Sequence, residues 1–245
     1  MLSFFSDFLS RCTLPEIMDH PSTSKADFLR AMAEIRWVNR YLNGTSCMLE
    51  AVQKLCQNIA SEDSLSLLDL GTASADIPLA IAQWARKSKR TLTIKALDLH
   101  PLAIMEGRRY VQNYPEIEVV QGNALDCTES ESQYDFVISS MFLHHLENED
   151  AVELLRGMAR QAKRAVIVND LERHPLAWLG IRLLGWVTLK GKIFRYDSAL
   201  SVKRAFTKQE LENLCQQAGL HQALIEARVP FRWVITWQRP QVAHV

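Results

Sequence analysis

The sequence is poor in the residues that break regular structure. Its 9 glycines and 8 prolines in 245 residues predict long elements and few loops. Cysteine is scarce and odd in number: Cys12, Cys47, Cys56, Cys127 and Cys215. No pair has C-x-x-C spacing, so zinc or redox motifs are excluded, and buried thiols in a reducing cytoplasm are expected. Neither sign of charge is in excess, because Lys plus Arg and Asp plus Glu both number 28. A neutral chain has no global field to gather nucleic acid or an anionic membrane, so no nucleic-acid partner is expected. No apolar run reaches the roughly 18–20 residues of a spanning helix. The nearest, Leu176 to Leu189, is interrupted by Arg182. The opening MLSFFSDFLSRC has no basic leader, and Asp7 interrupts it, so neither a signal peptide nor stable membrane insertion is expected. His20, His174, His221 and His244 are too dispersed for a metal set, and no metal is expected.

What is present is a globular balance, 48% hydrophobic and 23% charged, which excludes disorder across the chain. A helix is predicted after Ser24, capped by it with Asp27 and stopped at Gly44, and a second over 46–59. Strands are then predicted over 66–70, 91–97, 117–121, 134–140 and 165–169, with helices over 77–86, 101–112 and 148–163. This alternation implies a parallel sheet covered on both faces. The stretch 171–206, rich in Leu, Trp and Gly, breaks the pattern. A helix over 207–218, capped by Thr207 with Glu210, precedes two antiparallel strands, 220–227 and 231–237.

Open parallel sheets bind ligands beyond the carboxyl ends of their strands. The first end reads Asp69-Leu-Gly71-Thr72-Ala73-Ser74-Ala75-Asp76, a turn that lets the backbone approach a ligand. The second ends at Asp98, followed by Leu99, where a carboxylate can accept from both hydroxyls of a ribose. The third gives Asn123 and Ala124, an amide oxygen for an adenine amino group and room for its ring. The fourth gives Ser140-Met-Phe-Leu-His144-His145-Leu.

These motifs resemble the class I S-adenosylmethionine-dependent methyltransferases, in the small-molecule branch. The resemblance covers about 64–169 by motif and the rest by element order. It implies a Rossmann-like, doubly wound, mostly parallel seven-stranded α/β sheet with an antiparallel last strand. It further implies one domain: a helical N-terminal cap (1–60), a cofactor-binding core (64–170), a lid-like insertion (171–206), and a last helix and strand pair (207–245). The cofactor implied is S-adenosyl-L-methionine, held by Asp69, Gly71, Thr72, Ala73, Asp98, Leu99, Asn123, Ala124 and Ser140. The partner implied is a small organic acceptor, phenolic, quinone-like or polyketide-like, with oxygen slightly preferred over carbon as the methylated atom. The oligomeric state is not legible. The motif D-x-G-x-G-x-G is incomplete, because Ala73 and Ala75 replace two glycines. A catalytically silent nucleoside- or protein-binding fold is therefore the alternative.

His144 or His145 is the candidate general base, because imidazole titrates near neutral pH; the bland reading is a hydrogen-bonded turn. Asp126 is expected in a solvated turn, and His100 at the start of a helix. Trp178, Trp186 and Phe194, with Arg182, Lys190, Lys192 and Arg195, are expected to form a lid over the acceptor. A core helix is the next reading and a membrane-surface helix the last. Phe4, Phe5, Phe8 and Leu9 are expected to pack on the cap. Negative φ is expected at both Ala73 and Ala75, positive φ at Ala73 being the mark of a blocked, silent site.

Overall fold

The structure is a computed structural model that describes residues 8, 10–20, 22–126, 134–187 and 191–240. The expectations for Phe4, Phe5, Leu9, Cys127, Leu189, Lys190 and His244 lie outside the described residues.

Two helices come first, α1 (Lys25–Tyr41) and α2 (Gly44–Cys56). Ser24 caps α1, its side chain accepting from the Asp27 amide, as its spacing predicts. The stop is not Gly44. Asn43 takes the left-handed position (φ 64°), and Gly44 opens α2. Gly44 is needed there for closeness: a Cβ would lie 2.9 Å from Asn39 Oδ1 and 3.1 Å from Arg232 Nη2.

The alternating core follows as β1 (Leu65–Leu70), α3 (Asp76–Lys87), β2 (Leu92–Asp98), α4 (Pro101–Tyr110), β3 (Ile117–Gln121), β4 (Tyr134–Ser140), α5 (Asn148–Gln161) and β5 (Ala162–Leu171). Two helices fill the irregular stretch, α6 (Pro175–Val187) and α7 (Lys192–Arg204). The chain closes with α8 (Lys208–Gln217), β6 (Leu224–Arg228) and β7 (Arg232–Gln238). Thr207 and Glu210 form a reciprocal capping box on α8. The seven strands run in the order β3-β2-β1-β4-β5-β7-β6, and only β7 is antiparallel to its neighbours.

Side chains alternate between two cores on opposite faces of the sheet. Leu67, Phe136 and Ile138 pack with α2 and α3, while Leu68, Leu70 and Val137 pack with α5 and α8. Each fully buried Leu or Phe contributes about 1.5–3 kcal/mol. Parallel register aligns the strand ends: Leu70 faces Leu97, Asp98 faces Gln121, and Ser140 faces Asn169. The polar residues after them therefore gather along one edge. Among the described residues, no helix is long and apolar enough to cross a membrane.

Candidate active site

The turn after β1 is built from its backbone. Gly71 and Thr72 both donate their amides to the Leu97 carbonyl at 2.9 Å. Gly71 has φ 74°, and a Cβ there would sit 2.5 Å from the Phe142 ring, so only glycine fits. Ala73 and Ala75 also have positive φ, 51° and 58°. This corrects the expectation of negative φ at both. The turn needs left-handed backbone to aim its amides at Leu97 and Asp98, and alanine adopts it at a cost of about 1–2 kcal/mol per residue. By the criterion set from the sequence, the positive φ at Ala73 speaks for the silent fold, although Ala73 still borders an open cavity. The Ala73 methyl packs beside Phe28, Met32 and Ala103, and Ala75 is wholly buried in the core with Ile77 and Ile81.

Beside this turn lies a cavity of about 800 Å³. Asp69, Gly71, Thr72, Ala73, Asp98 and Leu99 line it, as do Asn123, Ala124, Ser140 and both candidate histidines. Every site residue read from the sequence thus borders one space. Three details differ from the simplest ligand picture. Asp98 already accepts from the Ala73 amide at 2.8 Å and the His100 amide at 2.9 Å. Asn123 Oδ1 accepts from the Leu125 amide at 3.1 Å, and Ser140 Oγ from Asn169 at 2.9 Å. Each of these oxygens keeps a further lone pair. Asp126 is exposed, and His100 caps α4 through Nδ1 while stacking on Phe28 at 4.1 Å.

The cavity wall also holds buried polar atoms short of partners: Asn39 Oδ1, and Asp69 Oδ1 and Thr72 Oγ1, which face each other. Leaving such atoms unpaired costs about 1–3 kcal/mol each, so a polar ligand is the natural partner. Burial, with Asp76 and Asp98 nearby, pushes the Asp69 carboxyl up to about 7. Arg232, buried on β7, reaches the same wall. Its Nε donates to the Leu42 carbonyl at 2.9 Å, and no carboxylate among the described residues forms an ion pair with it. Two acceptor oxygens, a hydroxyl and this cation fit the ammonium and carboxylate of an amino-acid tail. Asp98 and Asn123 fit a ribose and a base.

The same cavity is bordered by a histidine–carboxylate cluster. His144 and His145 sit on a 3-10 turn, Leu143–His145. Both Asp170 oxygens, at the end of β5, hold His144: one takes its amide at 2.9 Å, the other lies 2.6 Å from Nδ1. Burial opposes the Asp170 charge, but His144 outweighs it and keeps the carboxylate below its usual range. Asp170 is therefore ionised, Nδ1 carries the shared proton, and Nε2 points towards Glu16, 3.7 Å from its Oε1. His145 Nδ1 lies 3.4 Å from Asp19, and its Nε2 4.0 Å from Glu16. Burial disfavours charge on His145, yet Asp19 and Glu16 outweigh it, and its pKa is raised. Glu16 accepts from Ser201 Oγ at 2.6 Å. Glu16, His144 and His145 each bring a ligand atom within 4.8 Å of the others, so this set could also hold a cation.

Two arginines fix the turn. Arg11 Nη2 donates to the carbonyls of His144 (2.8 Å) and Leu146, and Arg204 to those of His144 (3.2 Å) and His145 (2.7 Å). The rest of the wall is α1, the apolar Leu176, Ala177, Ile181 and Leu184 of α6, and α7, which brings Phe194 and Val202 but also Asp197, Ser198 and Ser201. Sequence reasoning missed Glu16, Asp19, Asn39, Asp170 and Arg232. Asp170 was findable as an acid at a fifth strand end. The others carry no motif, and only the fold brings them to the site.

Comparison with known proteins follows the same lines. Residues 67–165 match a family model described as a methyltransferase domain. The chain is 28% identical over 187 residues to a demethylmenaquinone methyltransferase of Lysinibacillus sphaericus, covering 70% of this chain and 76% of that one. It is 26% identical over 133 residues to myricetin 3'/5'-O-methyltransferase 1 of Solanum habrochaites, covering 51% of this chain and 34% of that one. Among solved structures, magnesium protoporphyrin IX methyltransferase of Synechocystis with bound SAH superposes with a TM-score of 0.57. It shares 14% identity over 87% of this chain and 97% of that one, a likeness of fold.

Proposed function

Since the chain is a class I S-adenosylmethionine-dependent methyltransferase, we propose that it methylates a small, largely apolar organic acceptor through an ionisable hydroxyl. Phenolic, quinol-like and polyketide-like acceptors suit the site, with oxygen preferred over carbon as the methylated atom. One observation carries this reading: His144, which lines the cavity, is bound through Nδ1 to the buried Asp170 carboxylate. Similar proteins are named a demethylmenaquinone methyltransferase and a myricetin 3'/5'-O-methyltransferase; the second name supports transfer to oxygen and the first leaves the atom open. A cytoplasmic location fits the unpaired buried cysteines.

The cofactor, when bound, supplies a methyl group already activated on a sulfonium. Asp98 would take its ribose, Asn123 and Ala124 its adenine, and Asp69, Thr72, Asn39 and Arg232 its amino-acid tail. Leu99 and Ser140 would complete the wall. His144 Nε2 receives the acceptor's proton, Asp170 holds the ring, and Glu16 stabilises the resulting imidazolium. His145 stays beside Glu16 and Asp19 as a second polar contact. The apolar wall excludes water and holds the acceptor for in-line attack. On this reading the cluster moves a proton and holds no metal.

The test is turnover of a panel of demethylated quinols, flavonols and alkylated phenols, read as S-adenosylhomocysteine formed, with and without a chelator. Transfer to at least one hydroxylated acceptor, unchanged by the chelator, is expected. Cofactor binding in a calorimeter without turnover of any acceptor would favour the silent fold.

A further inference from the structure

The helix α6 is apolar on both sides yet lies at the surface. Its inner side faces the cavity through Ala177, Ile181 and Leu184. Its outer side exposes Leu176 (58%), Leu179 (55%), Leu183 (61%), Trp186 (79%) and Val187 (63%). At about 100° per residue these five positions fall within an arc of about 120°. Gly180 lies in the same arc, where an added Cβ would meet nothing within 4 Å. Most apolar side chains exposed singly need no explanation, but a continuous stripe on one helix does. A helix that is apolar all round belongs in a core or in lipid.

The charges around the stripe choose the partner. Arg182 borders it on α6, and Lys192 and Arg195 are exposed on the adjoining α7. The only acid on either helix, Asp197, is buried and accepts from the amides of Ile17 and Met18. No described residue of α6 or α7 therefore presents an exposed carboxylate. An apolar arc with a tryptophan near one end and a purely basic margin matches an anionic bilayer surface. At 13 residues, about 20 Å long, α6 is too short to span the roughly 30 Å hydrocarbon layer. It would lie in the plane of the interface.

We propose that α6 docks this protein on anionic membrane surfaces, with Leu176, Leu179, Leu183, Trp186 and Val187 entering the headgroup–acyl boundary. Leu176 and Gly180 border both the stripe and the cavity. The docked face is thus also a wall of the cavity, and an apolar acceptor can pass from lipid to site without crossing water. That last step rests on the acceptor reading above; the docking does not.

Vesicle co-sedimentation of the full chain tests it without any activity measurement. Vesicles of phosphatidylglycerol with phosphatidylcholine should pellet the wild-type protein, and pure phosphatidylcholine should pellet far less. Raising the salt should weaken binding to the anionic vesicles. Leu183→Glu and Trp186→Ala should each cut the bound fraction, Leu183→Glu by about tenfold or more. Both side chains are exposed and lie outside the cavity, so unchanged thermal melts are expected. Absence of wild-type protein from every pellet overturns the proposal, as does unaltered binding of both variants. A dimer in sedimentation analysis that Leu183→Glu dissolves, without vesicle binding, assigns the stripe to a second copy and overturns it too. Should vesicles bind while every acceptor fails, the docking stands and the acceptor reading falls.

Discussion

Ala73 and Ala75 hold left-handed backbone in a turn where glycine costs least, and the two should answer differently to glycine. Ala73 is only partly buried, so Ala73→Gly relieves about 1–2 kcal/mol of strain and loses about 0.4–1 kcal/mol to unfolded-state entropy. A Tm equal to or slightly above wild type is expected. Ala75→Gly also empties a methyl site in the core, worth about 0.8 kcal/mol, and should melt no higher than wild type. Gly71→Ala, driven into Phe142, should fail to fold or melt far lower. In the histidine cluster, Asp170→Asn removes the carboxylate charge and sets an NH2 donor against either His144 Nδ1 or the His144 amide. Turnover should fall about 10²-fold while calorimetric cofactor affinity stays near wild type. Equal turnover would remove the pair from the mechanism. Asp69, at about 7, is part-protonated at neutral pH. An ammonium set beside it favours the carboxylate, so cofactor binding at pH 7 should release protons. Calorimetry in buffers of different ionisation heat measures that release, and Asp69→Asn should abolish it. The raised pKa of His145 has a stability consequence. Its contribution is complete below the unfolded value of about 6.5 and is lost as pH rises through the folded value. In Asp19→Asn, the His145 ring proton signals should titrate at lower pH than in wild type.

Elements were legible where burial follows one period. The strands 117–121 and 134–140 coincide with β3 and β4, because alternate residues feed the two cores. Helix ends were less so: Asn43, not Gly44, supplies the left-handed residue, and both have the chemistry for it. The stretch 171–206 resisted reading for two opposite reasons. α6 is apolar on both faces, so no period stands out. α7 buries Asp197, Ser201 and Arg204, residues that a polarity pattern puts outside. These buried polar groups are the ones that fasten Ile17, Met18, Glu16 and the histidine turn. The site divides in the same way. Its strand-end residues could be read off in order, whereas Asn39 and Arg232 stand on α1 and β7, and Glu16 and Asp19 at a short 3-10 turn, Ile17–Asp19, that Glu16 precedes, all with no motif. For α6, truncating its inner face should act on the acceptor alone. Ile181→Ala or Leu184→Ala is expected to raise the acceptor KM several-fold with cofactor affinity unchanged. A fall in cofactor affinity would mean that α6 supports the whole cavity rather than one wall of it.

At the scale of the molecule, the two residue sets around the cavity draw on different parts of the chain. Most residues assigned to the cofactor lie within 69–140 at the ends of the parallel strands, and Asn39 of α1 and Arg232 of β7 join them from far along the chain. The histidine cluster joins Arg11 and Glu16 to His144, Asp170 and Arg204, contacts that span 133, 26 and 60 residues. Contacts of long separation close large loops, and that entropy must be met before they give anything back. A molecule with its sheet complete but Arg11 undocked would hold its cofactor and leave the acceptor untouched. The two abilities are thus separable in the architecture: binding rests largely on the sheet, and transfer on whether the segment holding Arg11 and Glu16 lies across the histidine turn and α7.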